Sequence, residues 1–269
     1  MNRIQSSPAR GDAGQTLDDV SPRYLAGAGD PRHVTDYLIA TGWSNRSVPG
    51  YPHVLLESPD RQLHLALEPL PDTLRDSWWR ISSADRTWTA RFGAHAPAEI
   101  IAGFTDSLLH APVPAENPWR LAADRGWTPH TAGPGDAVLS PDATAVLARL
   151  RTAGGLSGTP ACWKTEVSLP GPNSTRTWIW GAAIDETAPG HALAGFVRAL
   201  TDPAPLLRSP SQLTGLVFGF ATATRSAVSP DQHRRRHHQR LEEARRTAPP
   251  VAPQTAGPAP GPKHRRRHR

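Results

Sequence analysis

The stretch that decides the fold is residues 55–69, LLESPDRQLHLALEP, in which two apolar runs flank a Ser-Pro-Asp tripeptide. Leu63, Leu65 and Leu67 alternate with other residues, which is the period of a half-buried strand. In the tripeptide, Ser favours the first position of a turn, Pro presets φ at the second, and Asp can hydrogen-bond back to the backbone. The stretch therefore predicts a β-hairpin.

The residues around this hairpin predict the rest of a small module. Residues 78–81 and 87–92 have strand-like composition, and Pro97 precedes a helix with one apolar face. Before the hairpin, an Asp-Pro pair at 30–31 begins a helix that Gly42 ends. We therefore expect about four antiparallel strands followed by a packing helix.

The same marks recur later in the chain in the same order, at separations that grow from 82–84 to 90 and then 92 residues. Two copies that differ by loop insertions produce this stepwise growth. A third Ser-Pro-Asp at 229–231 lacks flanking strands and is expected to start a helix instead. The paired marks are Trp43 and Trp127; Ser58, Pro59 and Asp60 with Ser140, Pro141 and Asp142; Trp79 and Trp163; Trp88 and Trp178; Pro97 and Pro189; and Phe104 and Phe196.

This order of marks resembles the SPDY domain family, a domain of unknown function found mainly in streptomycete proteins and usually present as two tandem copies. The resemblance covers roughly residues 40 to 208. The family is named after the sequence Ser-Pro-Asp-Tyr, whereas Arg61 and Ala143 follow the Asp in the two copies here. The resemblance implies a tandem architecture and a cytoplasmic, actinobacterial setting, and it supplies no catalytic residue or substrate.

The sequence thus predicts an α+β protein of two tandem modules that form one pseudo-symmetric body, because one module alone buries little apolar area. The expected segments are a disordered N-terminal stretch at 1–29, modules at 30–112 and 113–208, an apolar extension at 209–228 and a basic tail at 229–269.

Charge is segregated along the 269 residues. The chain carries a net +6, but residues 229–269 hold eleven Lys and Arg against three Asp and Glu, so the preceding 228 residues carry −2. The single cysteine excludes an intramolecular disulfide and a cysteine-based zinc cluster. Neither a secretory leader nor an apolar run long enough to span a bilayer is evident, so a cytoplasmic location without membrane contact is expected.

The basic tail is the predicted nucleic-acid contact, since each cation that neutralises a phosphate releases a condensed counterion. Residues 232–246 are compatible with a helix, but its only apolar residues are Leu241 and Ala244, so it is not expected to dock by hydrophobic burial. An inert, solubilising tail is the alternative. The candidate contacts are Arg234, Arg235, Arg236, Arg240, Arg245, Arg246, Lys263, Arg265, Arg266, Arg267 and Arg269.

No motif for catalysis, cofactor binding or metal binding stands out. A glycine-rich stretch at 154–158 has the wrong spacing for a nucleophile elbow and is interpreted as a loop. Cys162 is interpreted as a structural thiol, and the repeated Asp60 and Asp142 as turn residues. His53 and His64 flank the first hairpin, but a metal would need a third ligand.

Tryptophan is the unusual residue, with nine Trp against three Tyr. Strand periodicity places Trp78 and Trp79 on opposite faces of a sheet, and Trp178 and Trp180 on the same face. Core packing is the favoured interpretation, and an exposed stacking platform for a base or a peptide proline is the alternative.

Three functions remain open from the sequence. The first is a non-enzymatic binding or adaptor protein, whose body meets an unidentified protein partner while its tail touches nucleic acid. The second is a purely protein-binding module with an inert tail. The third is an enzyme with a site between the modules built from Asp, His and Trp.

Overall fold

The computed structural model describes residues 16–69, 77–110, 114, 116–131, 135–151, 161–213 and 219–248. The first part of the chain contains β1 (Asp18–Ser21), a 3-10 turn (Arg23–Leu25), α1 (Arg32–Ala40), β2 (Ser44–Asn45), β3 (Val54–Glu57), β4 (Leu63–Leu67), β5 (Ser77–Ser83), β6 (Thr89–Gly93) and α2 (Ala98–Leu108).

The second part repeats this order. It contains α3 (Pro118–Ala123), β7 (Thr128–His130), β8 (Gly135–Leu139), β9 (Ala145–Leu150), β10 (Cys162–Pro170), a 3-10 turn (Pro172–Ser174), β11 (Arg176–Asp185) and α4 (Gly190–Thr201). After it come β12 (Leu206–Arg208), a 3-10 turn (Pro210–Gln212), β13 (Thr222–Arg225) and α5 (Pro230–Thr247). Each repeat therefore has a helix, five strands and a second helix.

The strands of both repeats join in one continuous sheet, here called the main sheet. Among the described residues its order is β2-β3-β4-β5-β6-β11-β10-β9-β8-β7, and every neighbouring pair is antiparallel. The last strands of the repeats meet at its centre, where Arg91 pairs with Ala183. Ala90 opposite Ile184 and Phe92 opposite Ala182 flank that pair, so the repeats are related by a pseudo-two-fold axis through it.

One face of the main sheet, here called the helix face, is covered by helices. Strand residues such as Trp79, Phe92 and Trp163 on this face belong to a single buried core with side chains from the four helices α1 to α4. Phe92 contacts both Phe104 of α2 and Phe196 of α4, with ring centroids 5.8 and 5.6 Å apart. The opposite face, here called the open face, carries exposed side chains that include Arg80, Arg91, Lys164 and Glu166.

Residues 16–29, before α1, contain β1 and a 3-10 turn, so the prediction of disorder for 1–29 is wrong for this part, while residues 1–15 lie outside the described residues. β1 is the middle strand of a second sheet, with β12 and β13 on either side. Val20 is fully buried there, and Tyr24 and Leu25 reach the main core. The paired residues of these strands are 186 to 207 positions apart in the sequence, and a local pattern of residues does not reveal such pairing.

A buried ion pair fastens this segment to the first repeat. The Arg208 guanidinium donates to both carboxylate oxygens of Glu99, each at 2.7 Å, and to backbone oxygens of Ala26, Gly27 and Leu207. Burial opposes ionisation of Glu99, but the charge and hydrogen bonds of Arg208 outweigh it, so the pKa of Glu99 lies below its usual value. All five guanidinium N–H groups are thus used, as a buried charge requires.

The predicted α+β class is confirmed, with two repeats of antiparallel strands and few helices. Each repeat has five strands, one more than the four expected. The additional strands are β2 and β7, which have two and three residues and are too short to produce a recognisable sequence pattern. Of the predicted apolar extension at 209–228, residues 210–212 form a 3-10 turn and 222–225 form β13, while 214–218 lie outside the described residues. Within the described ranges, none of the helices has the length and hydropathy that crossing a membrane requires.

Candidate functional site

The two Ser-Pro-Asp turns have the same hydrogen bonds. The buried hydroxyl of Ser58 donates to Asp60 Oδ1 at 2.6 Å and accepts the Leu63 N–H at 2.9 Å. In the second turn Ser140 bonds Asp142 and the Ala145 N–H at the same two distances. The tripeptide therefore closes each hairpin.

The carboxylates of these turns are held by structural bonds. The Ser58 hydroxyl lowers the pKa of Asp60 against the opposing effect of burial. For Asp142, burial raises the pKa, but hydrogen bonds from Ser140, Tyr24 and Thr144 outweigh it and leave the pKa lowered. Because Tyr24 donates to Asp142 at 2.7 Å, the second turn also anchors the N-terminal segment.

The predicted metal and thiol candidates have ordinary surroundings. His64 pairs with Glu57, and Val54 pairs with Leu67, so His53 and His64 lie at opposite ends of the hairpin and do not approach each other. Burial raises the pKa of the Cys162 thiol, which disfavours a reactive thiolate. The stretch 154–158 lies outside the described residues. In the described ranges there is no group of three His, Cys, Asp or Glu side chains arranged to hold a metal.

Most of the repeat tryptophans are core residues, in agreement with the favoured interpretation. Trp43, Trp79, Trp88, Trp127 and Trp163 are each less than a tenth exposed. Trp78 also packs against the main core, because β5 has a register shift between Ser77 and Trp79, so the expected alternation of Trp78 and Trp79 does not hold.

A β-bulge in β11 separates Trp178 from Trp180, which the sequence placed on one face. Val167 pairs with Trp180 and Ser168 with Trp178, so Ile179 is an extra residue. Trp180 is fully buried and donates its indole N–H to the Tyr24 carbonyl at 2.8 Å. Trp178 lines a groove on the open face instead.

The same bulge changes the internal alignment. Trp163 pairs with Ile184 as Trp79 pairs with Phe92, so Phe92 corresponds to Ile184. These two residues are 92 apart, as are Pro97 and Pro189. The structural counterpart of Trp88 is therefore Trp180, and the predicted pairing of Trp88 with Trp178 is wrong. Trp178 has no equivalent in the first repeat, which makes it a candidate for a function beyond folding.

The groove beside Trp178 has a volume of about 820 Å³ and crosses the open face of the second repeat. Its lining combines apolar floor residues with polar and charged side chains. The residues that matter for its chemistry are His130, Lys164, Glu166, Arg176, Trp178 and Gly181.

Trp178 packs partly against the main core and also lies over the backbone of two glycines. A Cβ atom placed on Gly181 or Gly93 would be 3.5 Å from atoms of its six-membered ring, so glycine at these positions leaves room for the indole. The Trp178 side chain is half-buried, and its position on the groove wall is set by the bulge and by these two glycines.

Arg176, two residues before Trp178, is a fixed cation. Its Nε donates to the Ser168 hydroxyl at 2.7 Å, and its Nη2 donates to the carbonyls of Ala143 and Ser168 at 2.7 and 2.9 Å. No carboxylate of the described residues pairs with it. The guanidinium is therefore held in place while its charge stays uncompensated.

Three more cations form a row across the centre of the open face. Arg80 pairs across strands with Arg91, Arg91 with Ala183, and Ala183 with Lys164. Arg80 has an ion pair with Glu68 at 3.1 Å and Lys164 one with Glu166 at 2.5 Å. Arg91 is exposed, and the described part of the chain supplies no acidic partner for it.

The basic tail begins with a docked helix. Ser229 and Gln232 cap α5 reciprocally, and Leu241 and Ala244 are buried against Ala40 and Tyr37 of α1. The helix docks although its apolar area is small, as the sequence indicated. Two apolar contacts are supplemented by an arginine that bridges to the body, which the expectation did not include.

That arginine is Arg240. It forms an ion pair with Asp106 at 2.6 Å, donates to the His33 carbonyl at 2.7 Å, and its guanidinium carbon lies 3.7 Å from the Tyr37 ring centroid. Burial raises the pKa of Asp106, with the Arg240 charge opposing that rise. Arg240 therefore faces the body and is not available to a phosphate while α5 is docked.

The other predicted contacts on α5 are exposed: Arg234, Arg235, Arg236, Arg245 and Arg246. Arg234 pairs with Asp231, Arg245 with Glu242 and Arg246 with Glu243. Within the described ranges, Arg235 and Arg236 have no carboxylate partner. Lys263, Arg265, Arg266, Arg267 and Arg269 lie outside the described residues.

Histidines line the contact between α5 and the body. The rings of His33 and His237 stack with centroids 6.3 Å apart. Burial lowers the pKa of His33 to about 4, although the Glu99 carboxylate opposes this, and burial also lowers the pKa of His233 and His237. The docked helix thus keeps these imidazoles neutral.

On the helix face, the junction between the repeats is filled by Phe92, Phe104 and Phe196. A cavity of about 290 Å³ lies beside the ends of α2 and α4, with His110 and His191 in its lining. His110 Nδ1 is bonded to the Asp106 carbonyl at 2.7 Å, and Glu116 and Arg198 of the lining pair with each other at 2.6 Å.

Comparison with known proteins gives one family. Residues 57–115 and 139–206 each match the family model of SPDY, a domain of unknown function (DUF317). Each matched stretch includes one Ser-Pro-Asp turn and the strands and helix that follow it. No curated protein and no solved structure matches the chain. The order of marks in the sequence and the two matched stretches agree, and the chain therefore contains two tandem stretches that match the SPDY domain.

Proposed function

We propose that this protein is a non-enzymatic adaptor that contacts nucleic acid through α5 and the basic residues beyond it. The observation that supports this is the docking of α5: Arg240 ties the helix to the body, and Arg235 and Arg236 remain exposed without carboxylate partners among the described residues. The helix is thereby a fixed basic ridge on the surface.

The distribution of charge favours phosphate contact at this ridge. The chain up to residue 228 carries −2, whereas residues 229–269 carry +8. The net charge of the body does not favour a duplex, so we assign the duplex contact to the tail. Its arginine side chains suit phosphate because each guanidinium fork can bond two oxygens. Counterion release drives such binding, which is therefore independent of base sequence and steeply dependent on salt.

In this proposal the body of the adaptor binds a protein partner. The two repeats supply a large pseudo-symmetric surface, and the junction between them on the helix face is apolar and filled. A protein-binding module with an inert tail is the competing function, and an enzyme using the cavity near His110 and His191 is the third.

The test is fluorescence-anisotropy binding of the full chain to a labelled duplex over a range of salt concentrations. The variant Arg235→Gln/Arg236→Gln removes two charges from α5, and Arg120→Gln/Arg125→Gln removes two exposed charges from the region of α3 as the matched control. We expect the α5 variant to bind more weakly and to lose about 0.9 in the slope of log K against log salt for each phosphate contact removed.

A second variant, with Arg265, Arg266 and Arg267 changed to Gln, measures the contribution of the terminal run. If both tail variants bind duplex with the affinity and salt slope of the unmodified chain, the tail is inert and the protein-binding module becomes the better function.

A further inference from the structure

The open-face groove has an aromatic ring between a cation on β11 and a cation on β6 that lies beside the groove. Arg176 precedes Trp178 by two residues, and the central pair of Arg91 with Ala183 follows it by five. At about 3.3 Å per strand residue, this places the two cations roughly 20 Å apart with the indole between them. Lys164, across from Ala183, extends the cationic end.

The charge of the groove differs from that of the body around it. Of the lining residues, Lys164 and Arg176 stand against Glu166, and that carboxylate is paired with Lys164. Arg91 lies beside the groove, across from Ala183 of its lining. Arg176 and Arg91 are thus left as uncompensated cations among the described residues, although the chain up to residue 228 carries −2. An anionic ligand complements this surface.

The aromatic ring selects among anionic ligands. A base stacks on an indole when its face is accessible, and in a single strand every base has an accessible face, whereas in a duplex the faces are stacked on one another. An acidic peptide would neutralise the cations but offers nothing that requires the indole. An open groove across the sheet also suits an extended chain better than a compact molecule.

We infer that this groove is a site for single-stranded nucleic acid, in which Trp178 stacks on a base while Arg176 and Arg91 contact phosphates on either side. The site lies on the face of the main sheet opposite to the helices and is separate from α5. It therefore stands or falls independently of the proposed duplex contact.

The experiment compares the affinity of the full chain for a labelled single strand of about 15 nucleotides with that for the duplex of the same sequence. The variants are Trp178→Leu, Trp178→Phe and Arg91→Gln. The controls are Trp119→Leu, which removes a half-buried indole on the helix face, and Arg120→Gln, which removes an exposed charge there.

We expect Trp178→Leu to weaken single-strand binding roughly tenfold to a hundredfold, since stacking on one aromatic side chain is worth about 1–3 kcal/mol. Trp178→Phe keeps a ring and should retain most of the affinity. Arg91→Gln should weaken the single strand severalfold, and none of the three should change duplex binding.

The inference is overturned if the unmodified chain binds the single strand no better than variants at Trp178 and Arg91, or if the controls weaken it equally. It is also overturned if an oligoglutamate peptide competes as well as an unlabelled strand and Trp178→Leu has no effect. If Trp178→Leu lowers the melting temperature, its weaker binding could reflect partial unfolding. The affinities of Trp178→Phe and Arg91→Gln for the single strand then test the inference. Variants at Arg235 and Arg236 test the α5 contact separately, since they affect duplex binding.

Discussion

Gly103 and Gly195 face each other where α2 crosses α4. A Cβ atom on Gly103 would lie 2.7 Å from the Gly195 carbonyl oxygen, and a Cβ atom on Gly195 would overlap the carbonyl of Gly103 in turn. The two glycines are 92 residues apart and occupy the same position of their repeats, between Ala and Phe. The pseudo-two-fold axis that relates β6 to β11 therefore also passes through the point where the backbones of α2 and α4 cross.

We expect Gly195→Ala to destabilise the protein by about 1–3 kcal/mol or more, because the added methyl forces the two helices apart. Gly103→Ala overlaps Ala199 as well, and the double variant Gly103→Ala/Ala199→Gly should recover part of the loss. Urea unfolding measures these differences. Equal stability of Gly195→Ala and the unmodified protein would mean that the crossing is looser than the structure shows.

The Ser-Pro-Asp turns give a comparison between the repeats. Ser140→Ala leaves the buried Ala145 N–H without its acceptor and removes a bond to Asp142, so we expect a loss of about 1–3 kcal/mol. Ser58→Ala makes the same change at the other turn. The loss at Ser140 should be larger, since Asp142 also holds Tyr24, and thermal unfolding of the two variants should rank them in this order.

The residue after each tripeptide lies in the left-handed region, with φ of 60° at Arg61 and 58° at Ala143. A side chain with a Cβ is disfavoured there and glycine is not, so Arg61→Gly and Ala143→Gly should stabilise the protein by about 0.5–1 kcal/mol. Glycine placed at Ala148, which lies in the regular strand β9, should destabilise it and serves as the control. Lower unfolding midpoints for both turn variants would contradict this interpretation.

The hairpin and the repeat were predictable because their causes are local. The turn chemistry of Ser58, Pro59 and Asp60 acts within a few residues, and the apolar alternation of β4 reports its buried face directly. The repeat was detectable because core tryptophans and the helix-crossing glycines are constrained in both copies. These features indicate each module, but they do not show how the modules are joined.

The candidate site was less predictable because it depends on long-range pairing. The seam between β6 and β11 and the pairing of β1 with β12 and β13 join distant parts of the chain. One extra residue at Ile179 moves Trp178 to the open face, and strand periodicity cannot locate such a bulge. The docking of α5 could not be predicted from its apolar residues, because the helix is held largely by the ion pair of Arg240 with Asp106 and by its contact with the Tyr37 ring.

The contact of α5 should weaken in mild acid. His33 of α1 is faced by Glu99, Arg208, Arg240 and His237, and burial lowers its pKa to about 4 from 6.5. A histidine with a lowered pKa takes up its proton more readily in the unfolded state. Its contribution to stability is therefore complete above pH 6.5 and is lost as the pH falls towards 4.

Lowering the pH from about 7 to about 5 should therefore reduce the free energy of unfolding by about 1–2 kcal/mol through His33. The loss is no larger because solvent partly screens this half-buried imidazole. His33→Gln should flatten this part of the pH profile of the melting temperature, whereas His238→Gln, on the exposed side of α5, should not. Asp106 acts in the opposite sense, since its pKa is raised by burial and its protonation relieves a buried charge. A profile that is unchanged by His33→Gln would show that the imidazole is solvated and that α5 does not enclose it.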